Sequence, residues 1–331
     1  MKIEDFGREA KLFILENDNG LRLSVTNFGA RIVKIEVPAE QDGGYRNVSL
    51  ACASAEEYLE LDPYVGASIV PVAGRITDAR VEISGKEYAL TENEPGRTLH
   101  GGVNTANLRN WEWECNGKDE VLFTTVLEDG FNGFPGRIEV GVRYYLSGSN
   151  DVHVDYVARS DKDTIFNPTN HVYFNLSGQF FESISQHQLK IAADYYVPLG
   201  EDNLPLGEFA AVDGTPFDFR EFALFETGFS SDHDQTNLVK GYDHPWKLSR
   251  QETAVEVWSP DRKVGLEVST DQPAAVIYTY NFPQEKLAAY HGVFSMECQG
   301  FPNACNLEGF GSIFLAAGEE FSSQTRYRLK W

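Results

Sequence analysis

The 331-residue sequence is poor in cysteine. Its four cysteines, Cys52, Cys115, Cys298 and Cys305, form no Cys-x-x-Cys pair, and they are too few for a disulfide-stabilised scaffold. The spacing between the last two matches no common zinc motif. We therefore expect reduced, buried thiols, as is typical of a cytosolic protein.

Positive charge is also scarce. Lys and Arg number 28 against 50 Asp and Glu, so the formal net charge is -22. Surfaces that bind nucleic acid or anionic membranes are usually basic, so we expect neither partner. A phosphorylated substrate is disfavoured less strongly, because one local arginine cluster is enough to bind a phosphate group.

Long hydrophobic runs are missing. The N-terminal segment MKIEDFGREAKLF is charged and lacks the apolar stretch of a signal peptide. No run approaches the ~20 apolar residues that a membrane-spanning helix needs. We expect a soluble, cytoplasmic protein.

The sequence motifs of several large enzyme classes are absent. There is no GxGxxG after a strand, no phosphate-binding P-loop, no HExxH and no GxSxG. Their absence disfavours nucleotide cofactors, phosphoryl transfer, zinc proteolysis and the common serine hydrolase mechanism. The acidic segment SDHD at 231–234 is better explained as a solvated loop than as a metal site. We expect neither a cofactor nor a metal.

Alternation with a period of two dominates what is present. Hydrophobic residues make up 42% of the chain, enough for a sizeable core. The alternation predicts three hairpins, at 22–38, 137–158 and 254–270. Their turns fall at 27–29, 147–151 and 260–263. Only 54–61 and 220–226 suggest short helices. The pattern predicts an all-β protein with large antiparallel sheets, either a sandwich or a barrel.

We expect one domain over residues 1–331, because no low-complexity linker divides the chain and no short repeat is present. The loop-rich zone 198–220 contains Leu, Phe and Pro rather than only Ser and Gly. It is therefore predicted to be an ordered excursion from the sheets.

Five polar segments hold the candidate functional residues: Arg75 in PVAGRITDAR, His100 in RTLHGG, His171 in NPTNHVYFNLSG, Asp243 in GYDHPW and Glu297 in FSMECQGFPNACN. Glu297 is the strongest candidate. It lies in an alternating segment between Met296 and Cys298, so its carboxylate is expected to face inward. There it must be paired or have a raised pKa.

Each of the other four has a structural alternative. His100 and His171 are each compatible with a buried histidine that simply has a hydrogen-bond partner. Arg75 is compatible with a surface ion pair, and Asp243 with a turn cap. Taken together, histidine, carboxylate, arginine and many aromatic residues suit acid–base chemistry on a neutral polyhydroxylated ligand.

The motifs LHGG, NHVYFNLSG, GYDH and ECQGFPNA occur in this order along the chain. With them the sequence resembles the aldose 1-epimerases, also called galactose mutarotases, from about residue 20 to the C-terminus. The resemblance implies a large antiparallel β-sandwich with a sugar cleft. It also implies interconversion of the α and β anomers of a free aldohexose, galactose or glucose, by a monomer or homodimer.

The resemblance assigns roles to matching positions. His171 is implied as the general acid and Glu297 as the general base. His100 is implied to bind the ring oxygen and neighbouring hydroxyls, and Arg75 and Asp243 to bind sugar hydroxyls. Acid and base together open and close the hemiacetal ring without a cofactor.

The chain departs from the family pattern at three positions. Pro71 stands where many members have arginine, Gly74 where they have asparagine, and Val276 where glutamine is frequent. These changes remove partners for sugar hydroxyls and leave the acid and base in place. The reaction is therefore predicted more firmly than the sugar.

Two alternatives remain open. A phosphosugar epimerase with the same fold needs cationic residues at the cleft, which the acidic composition disfavours. A non-catalytic sugar-binding protein has no use for a matched acid and base. Preference for a sugar phosphate would favour the first, and binding without rate enhancement the second.

Overall fold

A computed structural model describes residues 1–39 and 43–331, and almost all regular structure in this part of the chain is strand. The strands are β1 Lys2–Asp5, β2 Lys11–Glu16, β3 Arg22–Thr26, β4 Arg31–Pro38, β5 Tyr45–Asn47, β6 Ser68–Ile69, β7 Arg75–Thr77, β8 Arg80–Ile83, β9 Lys86–Ala89, β10 Arg97–Leu99, β11 Glu112–Cys115, β12 Glu120–Leu127, β13 Ile138–Leu146, β14 Asp151–Ser160, β15 Thr164–Ile165, β16 Thr169–Asn170, β17 Tyr173–Phe174, β18 Gln188–Ile191, β19 Tyr195–Tyr196, β20 Ala210–Ala211, β21 Ala223–Leu224, β22 Asp243–Lys247, β23 Val255–Trp258, β24 Gly265–Thr270, β25 Ala274–Tyr278, β26 Phe294–Gln299, β27 Phe314–Leu315 and β28 Glu320–Lys330. The α-helices are α1 Ala55–Leu61, α2 Glu226–Phe229 and α3 Asp234–Val239. Short 3-10 turns occur at Ala106–Leu108, Phe131–Gly133 and Ile184–Gln186.

Three large antiparallel sheets form the architecture. The first has the order β1-β2-β3-β4-β5, the second β11-β12-β13-β14-β28-β24-β23-β18-β21, and the third β17-β26-β25-β22-β19-β20. Small two-stranded sheets, β7 with β10 and β6 with β16 among them, are also present. The C-terminal strand β28 lies between β14 and β24, so it joins the two halves of the nine-stranded sheet.

The main hydrophobic core lies between the sheets. It takes Phe13 from the five-stranded sheet, Phe123 from the nine-stranded sheet and Phe294 from the six-stranded sheet. The rings of Phe13 and Phe123 pack edge to face with centroids 5.4 Å apart. Because the sheets pack face to face through alternating apolar side chains, the fold is a large antiparallel β-sandwich, as predicted.

The three predicted hairpins are confirmed as β3–β4, β13–β14 and β23–β24. The helix predicted at 54–61 is confirmed as α1, where the hydroxyl of Ser54 accepts a hydrogen bond from the Glu57 backbone N–H. This is an ordinary N-cap. The loop-rich zone 198–220 contributes β20 to the edge of the six-stranded sheet.

The helix predicted at 220–226 is wrong. Ala223 and Leu224 form the edge strand β21, which pairs with β18, and α2 begins only at Glu226. A seven-residue apolar pattern fits a short strand as well as a short helix, and here the open sheet edge determined the outcome. Helix α3 was not predicted; it begins after His233, whose ring accepts a hydrogen bond from the Gln235 N–H.

Arg31 is a fully buried cation beneath the loop that follows α1. Its guanidinium donates hydrogen bonds to the carbonyls of Phe28, Val65 and Asn107 at 2.8, 2.9 and 2.7 Å. It also lies over the Tyr58 ring, 4.1 Å from the centroid. Burial lowers the pKa of Arg31 to about 10, still well above neutral pH, so the side chain stays charged. Arg31 therefore fixes the loop at residues 62–66.

No helix among the described residues is long and apolar enough to cross a membrane.

We expect Arg31→Ala to lower the free energy of unfolding by about 3 kcal/mol or more, because each buried carbonyl left without a donor costs about 1–3 kcal/mol. Chemical denaturation measures the loss. Arg80→Ala is the control, since Arg80 pairs with Glu87 on the exposed surface. It should change stability by less than about 1 kcal/mol. Equal effects of both substitutions would show that Arg31 does not hold the loop.

Candidate active site

A cavity of about 240 Å³ lies against one face of the six-stranded sheet, over β22, β25 and β26. All five candidate residues line it: Arg75, His100, His171, Asp243 and Glu297. They are spread over more than 200 residues of sequence, from Arg75 to Glu297, so the fold alone brings them together. The cavity is too small for a large cofactor and has the size expected for a small polar molecule.

The imidazole of His171 and the carboxylate of Glu297 form the central contact of the cavity. His171 Nε2 lies 3.3 Å from Glu297 Oε1, and both side chains are only 6% exposed. The Ser295 hydroxyl donates to the same carboxylate oxygen at 3.1 Å. A buried carboxylate with two hydrogen-bonding neighbours and access to a cavity is poised to exchange a proton.

Backbone contacts fix the position of His171. Its N–H donates to the Ala67 carbonyl at 2.8 Å, and its own carbonyl accepts from the Gly66 N–H at 2.9 Å. The preceding Asn170 donates to the Gly66 carbonyl and to the Tyr144 hydroxyl. The asparagine beside His171 is therefore structural: it anchors the segment that presents the imidazole to the cavity.

Strand β26 presents Glu297. Residues 297 and 299 of this strand face the cavity, whereas Met296 and Cys298 pack into the main core. The sequence prediction of an inward-facing Glu297 is confirmed by its burial. Strand β26 pairs with β25 along residues 295–299, and this regular pairing leaves the Glu297 backbone little freedom.

His100 turns the chain with a positive φ of 49°. Its Nδ1 accepts a hydrogen bond from the Gly74 N–H at 3.2 Å. The neutral ring therefore carries its proton on Nε2, and this Nε2–H is the one hydrogen-bond donor that the ring offers. The next residue, Gly101, has a positive φ, and a Cβ there would lie 3.0 Å from the Val70 carbonyl oxygen. That glycine makes room for neighbouring backbone rather than for a ligand.

Arg75 lies between two carboxylates. Its Nε and Nη2 donate to the two oxygens of Glu94 at 2.8 and 3.1 Å, and Nη1 lies 4.0 Å from Asp243 Oδ2. The ion pair considered from the sequence exists, but it lines the cavity instead of the outer surface. The turn-cap interpretation of Asp243 is wrong, since Asp243 begins strand β22.

Burial shifts the pKa values of the central groups. It raises the pKa of Glu297 to about 7, against smaller opposing effects of Ser295 and Arg75. It lowers the pKa of His171 to about 4, although the negative charge of Asp62 raises it. Burial also raises the pKa of Asp243 to about 7. Between about pH 4 and 7 the two groups together therefore hold one proton, mainly on Glu297, while His171 is neutral.

The side chains of His100, His171 and Glu297 have nitrogen and oxygen atoms within 4.8 Å of one another, a spacing that also suits a metal ion. A metal would need an unprotonated histidine nitrogen on each ring. In His100, Nδ1 already accepts from the Gly74 N–H, so Nε2 carries the proton. This tautomer fits a hydrogen-bond donor better than a metal ligand.

Asp62, Tyr64 and Gln299 also line the cavity and were not identified from the sequence. Asp62 directly follows α1, and its carboxylate accepts from the Tyr64 N–H at 2.9 Å. The ring of Tyr64 lies 5.0 Å from that of His100. The available signal for Gln299 was its position two residues after Glu297 in an alternating strand.

The aromatic residues near the cavity differ in how far they are buried and in whether they line it. Trp246 is fully buried in the main core and does not line the cavity. Tyr173 lines its floor and is 3% exposed. Phe282 lies at the rim and is 66% exposed. Of these three, Phe282 has the ring face that an entering molecule reaches most freely.

Two of the departures from the family pattern lie in the cavity wall. Gly74 has a positive φ of 76°, and a Cβ there would lie 2.9 Å from the Pro302 Cβ, so this backbone is built around glycine. Val276 lines the cavity directly across the ladder from Glu297. Both positions make this part of the wall apolar.

Comparison with known proteins gives the same family throughout. The family model described as aldose 1-epimerase matches residues 11–328. The aldose 1-epimerase of Escherichia coli K12 is 35% identical over 335 residues, covering 97% of this chain and 96% of that protein. The galactose mutarotase of Homo sapiens is 36% identical over 334 residues, covering 97% and 94%.

Solved structures agree. The galactose 1-epimerase of Lactobacillus acidophilus NCFM superposes with a TM-score of 0.89 at 30% identity, covering 99% of this chain and 98% of that one. An aldose epimerase homologue from C. elegans has the same fold at 23% identity, also with a TM-score of 0.89, over 97% and 99%. The chain belongs to the aldose 1-epimerase family.

Proposed function

We propose that the protein is an aldose 1-epimerase, which interconverts the α and β anomers of a free aldohexose, galactose or glucose. The observation that carries the proposal is the buried contact between His171 and Glu297 in a cavity of monosaccharide size. Family membership supports the same reaction.

Ring opening requires two proton transfers. Glu297 takes the proton of the C1 hydroxyl, while His171 in its imidazolium form gives a proton to the ring oxygen. The bond between C1 and the ring oxygen breaks, C1 becomes an aldehyde and the former ring oxygen becomes a hydroxyl. The atoms balance within the sugar and the two side chains, with no net transfer to the protein pair.

Closure reverses the roles of the two side chains. After rotation about the C1–C2 bond, the hydroxyl attacks the other face of the aldehyde. His171 accepts the hydroxyl proton and Glu297 returns one to the C1 oxygen. One proton is shared by the pair throughout, so both directions use the same protonation state. Burial of both groups favours a pair that holds one proton, and the reactive form with that proton on His171 is the less populated of its two arrangements.

The remaining cavity residues hold the sugar. The Nε2–H of His100 donates to the ring oxygen or a neighbouring hydroxyl. Asp243 accepts hydrogen bonds from sugar hydroxyls, and Arg75, positioned by Glu94, donates hydrogen bonds to sugar oxygens. Hydrogen bonds to charged groups are stronger than neutral ones, so these contacts orient the ring firmly.

A phosphosugar fits this cavity poorly. Arg75 is the only Lys or Arg that lines the cavity among the described residues, and Glu94 already neutralises it. Asp62 and Asp243 also line the cavity, so a phosphate group would meet acidic rather than basic neighbours there. A neutral monosaccharide is therefore the proposed substrate. A pure binding role leaves the buried acid–base pair without a purpose.

We also propose that residues 1–331 form one domain, because the main core joins all three large sheets. That the protein is a monomer or a homodimer stays a prediction, and so does its cytoplasmic location.

Glu297→Gln and His171→Asn are each expected to slow the mutarotation of α-D-glucose and α-D-galactose by at least ~100-fold, because each removes one proton carrier. Polarimetry on freshly dissolved sugar measures the rate, and calorimetry should still detect sugar binding. Glu308→Gln is the matched control, because Glu308 is exposed. Full turnover by either active-site variant would remove that residue from the mechanism.

The pH dependence follows from the shared proton. The pKa values of about 4 for His171 and about 7 for Glu297 bound the range in which the pair holds one proton. Below this range the pair gains a second proton, and above it loses its last one. A plot of kcat/KM against pH should therefore be bell-shaped, with its maximum between about pH 4 and 7. A rate that keeps rising above pH 8 would contradict the one-proton mechanism.

A further inference from the structure

Gln299 is a buried amide without a hydrogen-bond partner. The residue is 0% exposed, and neither its Oε1 nor its Nε2 finds a partner among the described residues. Leaving buried polar groups unpaired is unfavourable, and native structures seldom do so without a reason. An amide with both ends unpaired therefore points to a partner that arrives from outside the chain.

The position of Gln299 identifies where that partner binds. Gln299 lies two residues beyond Glu297 on β26, so both side chains face the same cavity. Two residues of strand span ~7 Å. Across the ladder, Gln299 pairs with Ala274 and Glu297 pairs with Val276, and neither apolar side chain can satisfy an amide.

We propose that Gln299 binds a hydroxyl of the sugar remote from C1, which makes it a specificity-determining residue of the cavity. The inference rests on the proposed function. Glu297 reaches the C1 hydroxyl, so a group ~7 Å further along the strand meets the far side of the pyranose ring. A neutral amide both donates and accepts, and a neutral hydroxyl does the same, so the two match without a net charge.

Gln299 then rejects sugars that lack this hydroxyl. A site built to bond a hydroxyl discriminates strongly against the analogue without it, because its own buried groups are left unpaired. The apolar Val276 on the neighbouring strand cannot take over this contact. The substrate class that follows is a neutral pyranose with an intact hydroxyl opposite C1.

The test compares the wild-type protein with one substituted variant, and it measures both with glucose and a series of deoxysugars. Gln299→Met keeps the length of the side chain and removes both hydrogen-bonding atoms. Calorimetry gives Kd, and NMR exchange between the anomers gives kcat/KM, for glucose and its 2-, 3-, 4- and 6-deoxy analogues. Gln251→Met, at an exposed position, is the control.

We expect Gln299→Met to weaken glucose binding roughly 3- to 10-fold. The loss should vanish for the one deoxysugar that lacks the bonded hydroxyl and persist for the others. Thermal unfolding should stay unchanged or shift upward, since two unpaired buried atoms are removed. A purely structural glutamine would instead lower stability. If Gln299→Met does not fold, Gln299→Leu is measured in the same way.

Two results would overturn the proposal. One is unchanged Kd and kcat/KM for every sugar, and the other is an equal loss for every deoxysugar. The proposed function fails separately, if the wild-type protein binds glucose without accelerating anomer exchange. In that case the Kd series still decides the role of Gln299. A wild-type protein that binds none of these sugars would overturn both.

Discussion

The buried contact between His171 and Glu297 is the constraint on which the rest of the cavity depends. In a low-dielectric site it is unfavourable for two titratable side chains to be charged at the same time, unless their charges are opposite and neutralise each other. The contact therefore favours one shared proton, and that proton is what the opening and closing of a hemiacetal requires. A solvent-exposed pair of the same residues would titrate independently and lose this property.

The fold supplies the rigidity that such a pair needs. Glu297 comes from strand β26 of the six-stranded sheet, while His171 comes from a short segment whose backbone bonds to Gly66 and Ala67. That second segment is held in turn by the loop that Arg31 binds from beneath. A buried cation remote from the sugar thus helps to keep the distance between imidazole and carboxylate fixed, without contacting either.

Sequence reasoning found the parts of the molecule whose physical signal is local. Alternation gave the hairpins and the inward direction of Glu297. Polar segments singled out His100, His171, Arg75 and Asp243, and the family resemblance assigned roles to them. It failed where the outcome depended on distant neighbours. Within the 220–226 segment, Ala223 and Leu224 form a strand that pairs with β18 at the edge of the sheet. Asp62 was missed because its importance lies in its place beside the cavity, which no local pattern reveals. Gln299 was missed although its position two residues after Glu297 in an alternating strand was a local signal.

The most direct measurement of the central claim is a double-mutant cycle on the mutarotation rate. If His171 and Glu297 act as one proton-sharing unit, the double variant His171→Asn/Glu297→Gln should be about as slow as the slower single variant, because removing either member already disables the pair. If the two losses instead multiply, the residues contribute independently and the shared-proton account is contradicted.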